Sequence, residues 1–162
     1  MSRTFTWVDT MQFGHVGIAL AIASFDPRAE TFAVVGAAQF LPNLDTLVVR
    51  AGWAHPDFHD TWSHSLPFCL AVGAVAWLLF GPWLGALALL SIVCHVVADM
   101  PIDTGIPLLL PFSCRRFSFN LWKNTGYWGK SMYAGFYRHP WAWILEGAVF
   151  AVVLWRYGKL LT

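Results

Sequence analysis

Residues 65–98, SLPFCLAVGAVAWLLFGPWLGALALLSIVCHVVA, run for 34 positions without an Asp, Glu, Lys or Arg and with a single histidine, His95. One helix crossing a bilayer needs about 20 apolar residues, and this run carries a turn signal, Gly81-Pro82, at its middle. It therefore predicts two short helices joined as a hairpin, with both ends emerging on the same side. That geometry sets His59 and His64, just before the first limb, beside His95 and Asp99 at the end of the second. Composition agrees with an apolar environment. The chain is 57% hydrophobic and 12% charged, whereas soluble domains hold about 45–50% apolar and about 25% charged residues. Ten Lys/Arg against nine Asp/Glu give a net charge of +1, which excludes the basic excess that nucleic-acid binding draws on. Cys69, Cys94 and Cys114 form no CxxC pair and read as reduced packing residues.

Upstream, QFGHVGIALAIASF (12–25) and TFAVVGAAQFLPNLDTLVV (31–49) flank the polar turn DPRAE, a second hairpin broken at Asp26-Pro27. His15 near the start of its first limb and Asp45 near the end of its second then share a pole. Pro42 lacks an N–H and its ring clashes with the preceding turn, so LPNLD reads as a broken helix end, of the kind a membrane protein keeps where backbone is buried in protein or lines a wet cavity. TGIPLLLPF (104–112) is too short and proline-rich to span and reads as a re-entrant or interfacial loop. WAWILEGAVFAVVLW (141–155) is a last apolar helix with Trp at both ends.

The expected fold is all-α: about five apolar helices, two hairpins plus a C-terminal helix, in one membrane-embedded domain over 1–162. Its motifs lie in 10–115, an aromatic and basic interfacial segment follows over 113–140, and the last helix occupies 141–157. The N-terminal stretch, which has no clean small-residue cleavage site, is expected to be retained. Arg3, Arg50, Arg115, Arg116, Lys123, Lys130 and Arg138 fall at the His/Asp pole, against Arg28, Arg156 and Lys159 at the other. The positive-inside rule makes the His/Asp pole cytoplasmic, in a cytoplasmic (inner) membrane.

In HVVAD (95–99) the four-residue spacing puts His95 and Asp99 one turn apart on a helical face, able to grip one ion. On its own such a pair is as readily a hydrogen-bonded structural pair. Six ligand-type residues, His15, Asp45, His59, His64, His95 and Asp99, come from separate segments and gather at one pole, which changes the balance. Imidazole with carboxylate suits zinc first, then manganese or iron, and six donors exceed what one tetrahedral ion takes, so one or two divalent ions are expected. His59, five residues from His64, belongs on the loop, and His64 at the helix entrance. Gly14 and Gly17 around His15 allow another segment to approach closely.

GHVGIALAIA, AAQFLPNLDTL, HDTWSHSL and CHVVADMPIDTGIPLLLPF resemble the successive motifs of the YdjM-like family of inner-membrane-associated metal-dependent hydrolases: an early His, LPDxD, HRGxTHS, and HxxxD before a Pro-rich apolar loop. The resemblance covers roughly residues 10–115 and implies His15, Asp45, His59, His64, His95 and Asp99 as metal residues. It also implies a distant similarity to zinc-dependent phospholipase C and P1-type nucleases. The sequence departs from the pattern twice. Asn43 stands where the first acid of LPDxD is expected, and Asp60-Thr61 stand where Arg-Gly is expected. Both departures bear on catalysis more than on metal binding.

The expected function is a membrane-embedded hydrolase of a phosphoester or other ester in a lipid-like substrate, using a metal-activated water, with membrane lipids as its surroundings. The alternative is a non-catalytic, metal-stabilised membrane scaffold or sensor. Arg115 and Arg116 are candidates to grip a phosphorylated head group, although anchoring at the interface explains the aromatic and basic stretch around them more simply. Glu146 is open between an arginine partner, a further ligand or base, and a carboxylate reaching the interface. His55 and His139 read as surface histidines, Asp57 and Asp103 as turn or cap residues.

Overall fold

The computed structural model describes residues 12–54, 58–123 and 136–162. Arg3, His55, Asp57 and Lys130, and the expectation for the N-terminal stretch, lie outside them. Among the described residues the fold is all-α, with six helices and no strands: α1 Gln12–Ala23, α2 Ala29–Phe40, α3 Asp45–Arg50, α4 Leu66–Phe80, α5 Pro82–Ala98 and α6 Pro140–Leu160. Both hairpins are present. The sixth element is the short α3, which the sequence reading folded into the end of the second limb. Pro42 ends α2 there, a 3-10 turn covers Pro42–Leu44, and the chain re-enters helix at a bend of 53°.

Small residues let α4 and α5 lie close together. Gly81 closes the hairpin at φ 87°, a left-handed backbone that only glycine adopts without strain. A Cβ on Gly85 would fall 2.6 Å from the Trp77 Cα, so the two helices meet backbone to side there. At the entrance of α4, the Ser65 hydroxyl accepts from the Phe68 N–H, capping the helix just after His64. α6 runs parallel to α1, packs Val149 where a Cβ on Gly17 would sit, and is pinned at the far pole by Arg156, which donates to the Ser24 hydroxyl and carbonyl at 3.0 Å each.

The core runs through Cys69, Ala88, Ile92 and Val96, all essentially inaccessible. The outside is also apolar. Leu70, Val75, Leu78 and Leu79 stand exposed on α4, and a helix hydrophobic all round suits a bilayer or a larger protein core. Even so, no single described helix is long and apolar enough to cross a membrane. α4 and α5 have 15 and 17 residues, at about 1.5 Å each short of an about 30 Å hydrocarbon core. α6 is longer but carries Glu146, Arg156 and Lys159. The bent pair Ala29–Phe40 with Pro42–Val49 passes the length and composition test together.

Residues 100–122 form an irregular return rather than a helix. Ile106 bridges Phe117 and Ile102 bridges Trp122, and the Leu66 N–H donates to the Leu108 carbonyl at 2.8 Å, which docks this loop on the start of α4. The helix polarity follows from the turns: the N-termini of α1, α4 and α6 and the C-termini of α2 and α5 gather at one pole.

Candidate metal centre

At that pole His15, Asp60, His64, His95 and Asp99 are each at most 2% exposed. Burying five ionisable groups in an apolar bundle is costly unless they satisfy one another or an ion. α1 supplies His15, the loop before α4 supplies Asp60 and His64, and α5 with its C-cap supplies His95 and Asp99, one turn apart as the HVVAD spacing requires.

The donor atoms converge. His15 Nε2 lies 3.1 Å from Asp99 Oδ1, and His95 Nε2 lies 3.1 Å from Asp99 Oδ2. His64 Nε2 lies 3.4 Å from Asp99 Oδ2, 3.4 Å from Asp60 Oδ1 and 3.3 Å from His95 Nε2. His15 and His95 stack with centroids 4.2 Å apart. Two groups of three have donors within 4.8 Å of one another, His15, His95 and Asp99, and Asp60, His64 and Asp99. Asp99 belongs to both, its Oδ1 facing His15 and its Oδ2 facing both His95 and His64. A tetrahedral ion with ligands at about 2.0 Å holds neighbouring donors about 3.3 Å apart, and the triangle of His64 Nε2, His95 Nε2 and Asp99 Oδ2 has edges of 3.1–3.4 Å. Asp60 Oδ1 is buried without a hydrogen-bond partner. Donor type, spacing and this orphaned oxygen all fit a divalent cation.

Asp45 and His59 lie one layer further out. Asp45 Oδ1 receives the His59 Nδ1–H at 2.7 Å, while Oδ2 receives the Ser63 hydroxyl at 2.7 Å and the Asp60 N–H at 3.3 Å. Ser63 Oγ in turn lies 3.0 Å from His64 Nδ1. Asp45 thus stands behind two histidines and clamps the 59–64 turn, the position of a carboxylate that orients ligands; it enters neither three-donor group. His59 reaches the cluster through Nε2, 3.3 Å from Asp60 Oδ1. Behind His15, Gln39 lies 3.1 Å from Nδ1, and Ser91 donates to Gln39 Oε1 at 2.8 Å.

Electrostatics follows from this layout. Burial alone would lower His59, but Asp60 and Asp45 overturn it and hold the imidazolium up to about 9. Burial raises the carboxyl of Asp60. Burial works the same way on Asp99, yet His95 and His15 face it and keep it well below the ordinary carboxylate range. The two acids therefore split, one protonating readily and one staying charged.

Sequence reasoning missed Asp60, Gln39, Ser63 and Ser91. Asp60 was visible inside HDTWSHS but stood where the resemblance expects arginine. Gln39 and Ser91 were signalled as lone polar residues in apolar runs, AAQF and LLSI. Glu146 belongs to neither donor group: it accepts from the Gly14 N–H at 2.9 Å and the Tyr137 hydroxyl at 2.8 Å. Arg115 lies over the Phe117 ring. Arg116 donates to the Gly105 carbonyl at 2.7 Å and lines a groove of about 420 Å³ with Phe58, Thr61 and Trp62, the last two directly following Asp60.

Fold and site together define a class: an all-helical bundle, apolar on its outer faces, that buries His/Asp groups able to hold a metal ion at one pole. The chain belongs to the YdjM inner membrane protein family, whose model matches residues 11–160. No curated protein and no solved structure matches it.

Proposed function

We propose that the chain is an integral protein of the inner membrane, its metal pole cytoplasmic, that hydrolyses a phosphoester or other ester of an amphiphilic substrate with one or two divalent ions, zinc first. The supporting observation is the convergence of three imidazoles and two carboxylates, from three separate stretches of chain, at spacings that suit a divalent ion. A bound ion there supplies a Lewis acid that makes water a nucleophile near neutral pH. The protein's part is to hold and orient. His15, His64, His95, Asp60 and Asp99 form the grip, and Asp45 with Ser63 and Gln39 behind His15 fix the rings. His59, donating from Nδ1 to Asp45 and held as the imidazolium up to about 9, can give a proton from Nε2. Arg116, whose guanidinium keeps donors beyond the one spent on Gly105, offers a cationic wall in the groove beside Thr61 and Trp62, and Arg115 stands next to it on the surface.

The closure of the site favours a second reading, a metal-stabilised scaffold or sensor, because structural metal sites are fully enclosed by protein donors. One experiment separates the two. Purified protein in detergent, loaded with zinc or manganese, is given a chromogenic phosphodiester before and after chelation. Turnover that chelator abolishes while helicity persists supports the hydrolase. Absence of turnover in metal-loaded protein, with chelation lowering only the melting temperature, leaves the scaffold. If purified protein carries no metal and His95→Ala changes nothing in its elemental content, both readings fail.

A further inference from the structure

At three levels α6 meets α1 through residues 132 positions apart: Glu146 with Gly14, Val149 with Gly17, and Arg156 with Ser24. The constant offset means that the two helices lie parallel and in register along the whole of α1. α1 has no acid in its first turn and no base in its last, the residues that would complement its dipole. α6 supplies both from outside. Arg156 donates to the Ser24 carbonyl just past the negative end. At the positive end, Glu146 Oε1 accepts the Gly14 N–H at 2.9 Å, one of the four N–H groups that a helix start cannot satisfy itself.

The turn clamped in this way is the one that carries His15. Its ring is set by Asp99 Oδ1, 3.1 Å from Nε2, and by Gln39, 3.1 Å from Nδ1. Those contacts orient the imidazole, whereas the bond from Glu146 fixes the backbone beneath it, at the residue directly before. Glu146 is only 6% exposed, and a buried acid on an apolar helix is costly unless its oxygens are satisfied. The Tyr137 hydroxyl meets that need by donating to Oε2 at 2.8 Å. We infer that Glu146 is a positioning residue of the metal centre: its charge-assisted hydrogen bonds hold the first turn of α1 so that His15 presents Nε2 to the ion. It acts through His15 and touches neither ion nor substrate. The inference rests on an ion being held at this pole, in hydrolase and scaffold alike.

The test uses full-length protein in detergent. Zinc affinity is measured by competition with a coloured chelator, and the melting temperature is measured on chelated protein. Glu146→Gln keeps an acceptor for the Gly14 N–H and removes the charge; it should weaken zinc by about 10-fold, the usual effect of losing a group that supports a ligand. Arg156→Gln cuts the tie at the other end of the same two helices and should lower the melting temperature with zinc affinity unchanged. In a His15→Ala background, where His64, Asp60 and Asp99 remain, Glu146→Gln should cost no further affinity, because the two residues act as one unit. Where Glu146→Gln does not fold, Tyr137→Phe, which removes the hydroxyl and keeps the ring, should weaken zinc in the same direction. Equal zinc affinity in wild type and Glu146→Gln, the same loss in Arg156→Gln, or an undiminished effect of Glu146→Gln in the His15→Ala background overturns the inference and leaves the metal centre standing. A wild-type protein that binds no zinc overturns both.

Discussion

His64 Nε2 and His95 Nε2 face each other 3.3 Å apart, nitrogen to nitrogen, with Asp99 Oδ2 completing a triangle. Two neutral imidazoles in that contact need one proton between them, whereas an ion can use both lone pairs at once. Asp99 is the residue the two donor groups share. Asp99→Ala is therefore expected to abolish metal binding outright, while Asp60→Ala, which belongs to one group only, should leave the ion held by His15, His95 and Asp99. Elemental analysis of the purified variants checks this; equal metal loss in both would show that the site is a single unit.

The Asp45 carboxylate acts on the centre through other residues. Removing such a supporting group usually lowers metal affinity about 10- to 100-fold. Asp45→Asn should weaken affinity in that range, because the amide cannot accept from His59, Ser63 and the Asp60 N–H as a charged carboxylate does. Competition with a coloured chelator measures it.

Gln39 makes a related prediction with a definite geometry. His15 can ligate through Nε2 only if its Nδ1 carries the proton, which requires the Gln39 oxygen rather than its amide nitrogen to face it. Ser91 permits that turn of the amide, since its hydroxyl can donate instead to the Val35 carbonyl, 3.0 Å away. Gln39→Leu should cost metal affinity by about 10-fold or more, and the His15 tautomer seen by nitrogen NMR should switch on metal addition in wild type.

The metal-free protein should lose stability in alkali. His59 is raised in the folded state to about 9 from 6.5. A raised basic group contributes stability that is fully present below its unfolded pKa and disappears as pH rises through its folded one. Chelated protein should therefore melt at progressively lower temperature between about pH 6.5 and pH 9, and His59→Gln should flatten that slope. A wild-type melting temperature indifferent to pH across the window would remove His59 from the account.

Gly85→Ala should destabilise the α4–α5 hairpin by about 1–3 kcal/mol, the usual cost of forcing atoms into a packed contact, because the new methyl would meet Trp77 Cα at 2.6 Å and Trp77 N at 2.7 Å. Gly147→Ala, inside α6 with open space around its Cβ, serves as the control in the same melting experiment and should hold or raise the melting temperature, because alanine favours a helix interior over glycine.

The two hairpins, the breaks at Gly81-Pro82 and Pro42, and the pairing of His95 with Asp99 were legible from the chain alone. Backbone chemistry decides them locally: proline lacks an N–H, glycine tolerates positive φ, and four residues make about one helical turn. The gathering of ligand-type residues at one pole was equally legible, because a hairpin returns its ends to the same side. The layering within that pole was not. Asp45 and Asp60 are both acids near histidines, and nothing in the linear order says which faces the centre. The tight turn through Asp60, at φ 57°, carries its carboxylate inward and leaves Asp45 behind to hold His59 and Ser63. Glu146 likewise found its partners in Gly14 and Tyr137, 132 and 9 positions away. Periodicity and turn residues act over one or two turns of chain, whereas the choice among equivalent side chains depends on which helices pack together, and that is fixed only when the whole bundle closes.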